Sequence, residues 1–184
     1  TEGLYKKPTV VNNVETLAAA SGILLNGSEK FSAIGNKKSA GTKLVCFDSF
    51  FNNPGVYEID MGTPMKKVLY DIGGGFKEEV KALQIGGPLG GVVPIKEVEK
   101  LNLDFQEFTS AGFMLGHASI VSIPKDFPMV EYIHHLFEFT AEESCGKCFP
   151  GRLGSYRGKE MFDQLKNKTS KIPLKLLNEL LITC

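Results

Sequence analysis

The chain has 184 residues, a length that buries about 70% of the unfolded surface without help from disulfides. Its 21 basic and 21 acidic residues balance to a formal charge of zero, which removes the broad attraction on which nucleic-acid binding depends. Apolar runs fall short of the ~20 residues that span a bilayer. We therefore expect neither a nucleic-acid partner nor a membrane span. Because the chain starts with Thr1 and has no signal segment, we expect a piece of a longer protein.

The first predicted unit covers residues 1–42. After an extended arm, apolar residues recur at helical spacing, and Asn13 has the side chain that an N-cap position favours. Gly27 is typical of a helix end, and a second short helix is predicted over residues 28–34. A flexible, small-residue connector follows, so we place a domain boundary near residue 42.

The second predicted unit, residues 43–124, has strand periodicity. Strands are predicted at residues 44–47, 56–59, 80–85 and 119–123. The turn sequence ending in Pro54-Gly55 makes a hairpin of the first two. Thr63 and Pro64 then occupy the predicted N-cap and first position of a helix. This order of hairpin, helix and strands is typical of a small β-grasp.

Helical periodicity returns in residues 125–184. One amphipathic helix is predicted after Pro128, a second ends near Leu165, and a third starts at Pro173. We therefore predict an α+β chain whose last part is a partial helical bundle.

Several other patterns favour structural interpretations. The glycine cluster at residues 86–91 has neither dinucleotide nor P-loop spacing, so a turn with close backbone approach is expected. Glu131-x-x-His134 is half of a di-iron pattern whose second copy is missing, which favours an ordinary polar helix face. Cys46 is expected to pack in its strand as a small hydrophobe.

Cys145 and Cys148 form a C-x-x-C between the first two predicted bundle helices. Two thiolates three residues apart on a turn can converge on one centre. A zinc site, an iron–sulfur cluster and a redox disulfide all use this spacing, so the spacing alone leaves the three open.

Three segments resemble one family. Residues 143–152, with the sequence ESCGKCFPGR, resemble the E-S-C-G-K-C-x-P-C-R signature of the flavin- and NADH-binding 51 kDa (F) subunit of respiratory complex I. Residues 7–16 resemble its K-P-T-x-x-N-N-V-E-T segment. Residues 55–58, together with the turn at 86–91, resemble its soluble-ligand-binding β-grasp. The segments keep the family order, and the resemblance covers nearly the whole chain.

The resemblance implies three parts. Residues 1–42 correspond to the end of an FMN-binding domain, 43–124 to a ubiquitin-like soluble-ligand-binding β-grasp, and 125–184 to part of a four-helix bundle that holds a [4Fe–4S] cluster. In that family NADH gives a hydride to FMN, and the flavin passes electrons singly to the cluster. The expected FMN contacts are Asn12, Asn13 and Thr16, and the expected first two cluster ligands are Cys145 and Cys148.

Two positions depart from the family pattern. Gly151 stands at the third ligand position, and glycine has no side chain to bind iron. Cys184 lies too early along the chain to be the fourth ligand on the family's count. We therefore expect FMN and a [4Fe–4S] cluster in the intact parent, with none or an incomplete one in this fragment, which alone should not oxidise NADH.

The resulting interpretation is a C-terminal fragment of an NADH dehydrogenase (quinone) flavoprotein subunit, an enzyme component whose parent uses NADH. The expected partners are the other subunits of such a complex, and the expected location is the cytoplasm, peripheral to the inner membrane through those subunits. The related subunit of an NAD(P)-linked hydrogenase or formate dehydrogenase is an alternative. Alternatives of other classes are a non-catalytic docking module whose C-x-x-C binds zinc or nothing, and a domain for a soluble sugar or corrin.

Overall fold

A five-stranded mixed sheet forms the centre of the chain in a computed structural model, which describes residues 2–167 and 173–183. The strands are β1 (Thr42–Phe47), β2 (Gly55–Asp60), β3 (Val80–Ile85), β4 (Gly91–Pro94) and β5 (Ser119–Pro124). Their order across the sheet is β2-β1-β5-β3-β4, with β1 and β5 parallel and the other pairs antiparallel. Parallel first and last strands at the centre are the ubiquitin-like β-grasp arrangement, so the predicted α+β fold is confirmed.

The predicted hairpin is confirmed. Phe47 pairs with Gly55 at the end of the β1–β2 ladder, and Gly55 takes a φ of 143°, in the region that favours glycine. One face of β1 carries Val45 and Phe47 into the core. Cys46, which alternates with them, is exposed, so the expectation that it packs as a small hydrophobe is wrong.

The helix that crosses the sheet is α3 (Met65–Lys67), continued by a π-helical turn (Val68–Ile72). It begins one residue later than predicted, because Pro64 is the N-cap and the Thr63 hydroxyl donates to the Asp60 carbonyl at 2.7 Å instead of capping. Together with the sheet it encloses one apolar core. All the buried residues of this core lie between Val45 and Ile120.

Two short helices, α4 (Ile95–Val98) and α5 (Phe105–Ser110), and strand β4 were not predicted. The Asp104 carboxylate caps α5 by accepting from the backbone N–H groups of Gln106 and Glu107 at 2.8 and 2.9 Å. Phe108 of α5 is fully buried. These elements fill the long connection between β3 and β5.

The first part of the chain contains α1 (Val14–Asn26) and α2 (Ser28–Ser32). Asn13 caps α1 as predicted. No residue of either helix is fully buried. The boundary placed near residue 42 coincides with the start of β1, although the division into domains itself stays a prediction.

The last part contains α6 (Met129–Glu143), a π-helical turn (Pro150–Gly154), α7 (Ser155–Lys166) and α8 (Leu174–Thr183). The rings of Phe137 and Phe162 stack across α6 and α7, with their centroids 5.6 Å apart. Gly158 lies directly against Phe137. In the part of the chain that the structure describes, no helix is both long and apolar enough to cross a membrane.

Candidate functional site

The predicted flavin-contacting residues lie together at the start of α1. The side-chain oxygen Oδ1 of Asn13 accepts from the backbone N–H groups of Glu15 at 2.9 Å and Thr16 at 3.4 Å, while Oδ1 of Asn12 accepts from the Asn13 N–H at 2.8 Å. All three predicted residues, Asn12, Asn13 and Thr16, are exposed. The side-chain oxygens of both asparagines thus shape the helix start, which leaves the amide nitrogens and the Thr16 hydroxyl as the groups that face outward.

The two sides of α1 differ in their surroundings. One side, with Ala19 and Ile23, faces the β1–β2 hairpin across an apolar groove of about 570 Å³. The other side is open and apolar: Val14 is 80% exposed and Leu24 is 86% exposed. A helix that exposes an apolar face of this kind to water is unusual. The predicted flavin contacts therefore border a face that has the composition of a packing surface.

Glu15 joins α1 to the sheet. Its carboxylate accepts from the Leu44 N–H at 2.8 Å and forms an ion pair with the Lys43 ammonium, whose side chain is buried. Burial pushes the pKa of Glu15 upward, but the Leu44 N–H and the Lys43 charge outweigh it and hold the pKa below its ordinary value. Sequence reasoning missed this pair, since helical and strand periodicity carry no information on which charges meet.

The C-x-x-C lies in the turn between α6 and α7, as predicted. Cys145 and Cys148 are both exposed, and they do not form a disulfide with each other. Gly146 between them has a φ of 69°, and its N–H lies 3.3 Å from the Ser144 hydroxyl oxygen. This turn, called the thiol turn below, comprises residues 144–149 and presents two thiols at the surface. Its backbone uses the left-handed φ that glycine adopts readily.

Gly151 lies beside this pair. A Cβ built on Gly151 would stand 3.5 Å from the Cys148 sulfur and 3.1 Å from the Ser144 hydroxyl oxygen. The position thus faces the thiol turn, yet it contributes no ligand. Across residues 2–167 and 173–183, no three His, Cys, Asp or Glu side chains come together as a metal site. Cys184 lies outside the described residues. A [4Fe–4S] cluster takes four cysteine ligands, and among the described residues this turn offers two, so a complete cluster does not fit them.

His134 belongs to the α6–α7 interface. It is buried, and its Nε2 lies 2.8 Å from the Asp163 carboxylate without being aligned for a hydrogen bond. Lys159 of α7 pairs with Glu138 of α6 at 2.8 Å, and this contact lowers the pKa of Glu138. These polar contacts link the two helices, so His134 is buried between them rather than on the polar helix face that was expected.

The glycine cluster at residues 86–91 is a close-packed turn, as predicted. A Cβ on Gly86 would approach the Leu115 carbonyl oxygen to 2.8 Å, and one on Gly87 would collide with the His117 ring. Both glycines also take φ values near 90°. These glycines therefore allow the turn to pack closely against the residues that precede β5.

The last part of the chain is similar to a known family. Residues 131–183 match the family described as NADH-ubiquinone oxidoreductase-F iron-sulfur binding region. The chain is 42% identical over 154 residues to the second F subunit of the NADH-quinone oxidoreductases of Rhizobium meliloti, and 40% identical over 157 residues to the F subunit of the Escherichia coli NADH-quinone oxidoreductase. These alignments cover 83% and 84% of this chain. The predicted resemblance to the F subunit is thereby confirmed.

A hydrogenase subunit is similarly related. The HndC subunit of the NADP-reducing hydrogenase of Solidesulfovibrio fructosivorans is 37% identical over 181 residues, or 97% of this chain. A crystal structure of an NAD+-reducing [NiFe]-hydrogenase in the air-oxidised state superposes with a TM-score of 0.78 at 30% identity, covering 90% of this chain and 28% of that one. The chain spans 36% of the Rhizobium relative and 35% of the Escherichia coli one, about a third of their length.

Proposed function

We propose that this chain is the part of an NADH-oxidising flavoprotein subunit that links the flavin site to the iron–sulfur region. The single observation that carries the proposal is the thiol turn between α6 and α7, which lies within the matched iron–sulfur binding region at residues 131–183. The activity of the parent is NADH oxidation within an NADH-quinone oxidoreductase or an NAD(P)-linked hydrogenase, and its partners are the other subunits of that complex. Its location is cytoplasmic, at the membrane periphery through those subunits.

On the flavin side, the residues that contact FMN in this proposal are Asn12, Asn13 and Thr16. Support comes from their exposed position at the start of α1, where the positive end of the helix dipole favours the negative charge of a phosphate. The open apolar face of α1 supports it further, since a flavin domain packed there would remove that surface from water. These residues would hold FMN, which would supply the hydride-accepting chemistry for NADH oxidation in the parent. The role of these three residues is to orient the cofactor by hydrogen bonds.

The β-grasp has a mechanical role in this proposal. Its sheet is tied to α1 by the Glu15–Lys43 pair and to α6 by the Tyr132 hydroxyl, which donates to the Gln84 side chain. Lys81 also donates to the Phe127 carbonyl at the start of the bundle. Contacts on both sides would hold the flavin and thiol regions in fixed relation, as electron transfer between two centres requires.

The experiment is a graft into the F subunit of Escherichia coli, in which this chain replaces the matched segment. We expect the graft to oxidise NADH with ferricyanide, an acceptor that takes electrons from the flavin. The chain alone, with added FMN, should show no such turnover, because it spans about a third of the relatives' length and hydride transfer needs the nicotinamide held against the flavin.

The variant Thr16→Val in the graft should lose FMN affinity, whereas Ser21→Ala removes a hydroxyl farther along α1 and should not. A graft that folds and assembles but neither binds FMN nor oxidises NADH would overturn the proposal in favour of a non-catalytic docking module. Equal FMN loss in both variants would reject the assignment of Thr16.

A further inference from the structure

The thiol turn retains the geometry of a third ligand position that its sequence does not fill. Residue 151 belongs to the π-helical turn at Pro150–Gly154, and Cys148 lies just before that turn. The Arg152 N–H donates to the Cys148 carbonyl at 3.0 Å, which holds the two segments together. The Cβ position of residue 151 accordingly lies 3.5 Å from the Cys148 sulfur. That separation is an ordinary van der Waals contact, so a side chain at 151 would meet the thiol without collision.

The backbone at residue 151 does not require glycine. Gly146 has a φ of 69°, in the left-handed region, whereas Gly151 is absent from the residues with positive φ. The tightest neighbour of a new Cβ is the Ser144 hydroxyl oxygen at 3.1 Å, and a small rotation of that side chain relieves it. A larger residue at 151 is therefore compatible with the fold.

We infer that residue 151 is the point at which the iron–sulfur site of this chain is interrupted, and that one cysteine there turns a two-thiolate site into a three-thiolate site. The inference rests on the proposed function, in which Cys145 and Cys148 are cluster ligands. It goes beyond that function by assigning the defect to one side chain and leaving the surrounding backbone competent. The contacts of Phe137 with Phe162 and Gly158 across α6 and α7 do not involve residue 151, whose Cβ position lies near Ser144 and Cys148.

The first test measures disulfide formation and uses no metal. In Gly151→Cys, mild oxidation with oxidised glutathione should convert two thiols into one intrachain disulfide, releasing two molecules of reduced glutathione with the two protons and two electrons transferred. Peptide mapping should find residue 151 linked to Cys145 or Cys148, because disulfides form only where Cβ atoms come within about 3.5–4.5 Å. The control Leu153→Cys places a thiol at an exposed site two residues farther on and should not link. Absence of any link to residue 151 would overturn the inference.

The second test uses iron. The unmodified chain, Gly151→Cys and Gly151→Ser are reconstituted anaerobically with ferrous iron and sulfide in the presence of a small thiol, then desalted. Gly151→Cys should retain severalfold more iron and sulfide than the other two, with absorbance near 400 nm and an EPR signal on reduction, since serine fills the same space without a thiolate. Four irons per chain in the unmodified protein would overturn the inference.

The two tests separate failure of the inference from failure of the proposed function. If the disulfide forms at residue 151 but iron retention does not rise, the placement of residue 151 is right and the thiol turn is not an iron site, which overturns the proposed function. If iron retention rises in Gly151→Cys, it should fall again on adding Cys145→Ser and Cys148→Ser. Iron that persists without those two cysteines would show binding elsewhere and overturn both.

Discussion

At the scale of single residues, Glu15 is the clearest case of a side chain whose observed contacts differ from the role that its sequence motif implies. Glu15 belongs to the segment that resembles the family's flavin-contacting sequence, yet its carboxylate contacts β1 rather than the open side of α1. Lys43 is buried beneath it. Removing one partner of such a pair leaves a buried charge without compensation, whereas replacing both is often close to neutral.

We predict that Glu15→Gln lowers the free energy of unfolding by about 2 kcal/mol, because the amide cannot compensate the buried Lys43 ammonium. The double variant Glu15→Gln with Lys43→Met should recover most of that loss. Urea unfolding of the two variants and the parent measures both effects. A double variant less stable than Glu15→Gln would contradict the assignment of the pair.

The same contact predicts a pH dependence. Because the folded-state pKa of Glu15 is lowered, its contribution is present above the unfolded glutamate pKa of about 4.3 and is lost as the pH falls through the folded value. The stability difference between the parent and Glu15→Gln should therefore be largest at neutral pH and should shrink below pH ~4. Unfolding curves across that range test the sign. A difference that grows on acidification would be inconsistent with a stabilised carboxylate.

Sequence alone identified residues whose role is local and missed those whose role depends on distant partners. Asn13 was predicted as an N-cap because capping needs only the next three residues. Cys46 was placed wrongly, since the phase of a half-buried strand follows from which neighbours meet the core. The nearness of position 151 to Cys148 was implied by the family resemblance, whereas no local pattern in the sequence specifies their distance.

At the scale of elements, α1 and α7 each contain a mid-helix glycine in opposite surroundings. A Cβ on Gly22 would meet nothing within 4 Å, whereas a Cβ on Gly158 would collide with the Phe137 ring. Phe137 is held in turn by its stack on Phe162. Substitution of Gly22 therefore measures helix propensity alone, whereas substitution of Gly158 also measures helix packing.

We expect Gly22→Ala to stabilise the chain by up to about 1 kcal/mol, from helix propensity alone. Gly158→Ala should instead destabilise it by about 1–3 kcal/mol, because overpacking at α6–α7 outweighs the same propensity gain. Thermal unfolding of the two single variants measures the contrast. Equal stabilisation by both would show that α6 and α7 do not pack as described.

The predicted and unpredicted elements divide by length and periodicity. Strand β3 was predicted with its observed bounds, because a run of six residues ends at a glycine cluster. Strand β4 was missed, since it has four residues and ends in Pro94. Helices α4 and α5, of four and six residues, are too short to show a period and are fixed by burial of Val98 and Phe108.

At the scale of the whole molecule, the apolar core lies within the β-grasp, between Val45 and Ile120. The remaining parts contact it through a few polar links such as Glu15–Lys43 and Tyr132–Gln84. A unit with its own core can fold alone. The order of the strands follows from the parallel pairing of β1 with β5, which no local sequence signal specified.

Residues 42–126 should therefore unfold in one cooperative thermal transition when excised. Lys43 loses its partner in that piece, so Lys43→Met should raise the midpoint of the excised unit more than it changes that of the full chain. Calorimetry of both lengths with and without the substitution provides the comparison. A broad, non-cooperative transition for the excised unit would contradict an autonomous β-grasp.

The proposed function places FMN contacts at the start of α1 and an incomplete set of cluster thiols between α6 and α7. The most direct test is the stoichiometry of FMN and non-haem iron per chain in one purified sample of the Escherichia coli graft, reconstituted anaerobically and desalted. We expect close to one FMN per chain, with far fewer than the four irons of a complete cluster. Four irons alongside one FMN would contradict the incomplete site, and a folded graft without FMN would contradict the proposed function.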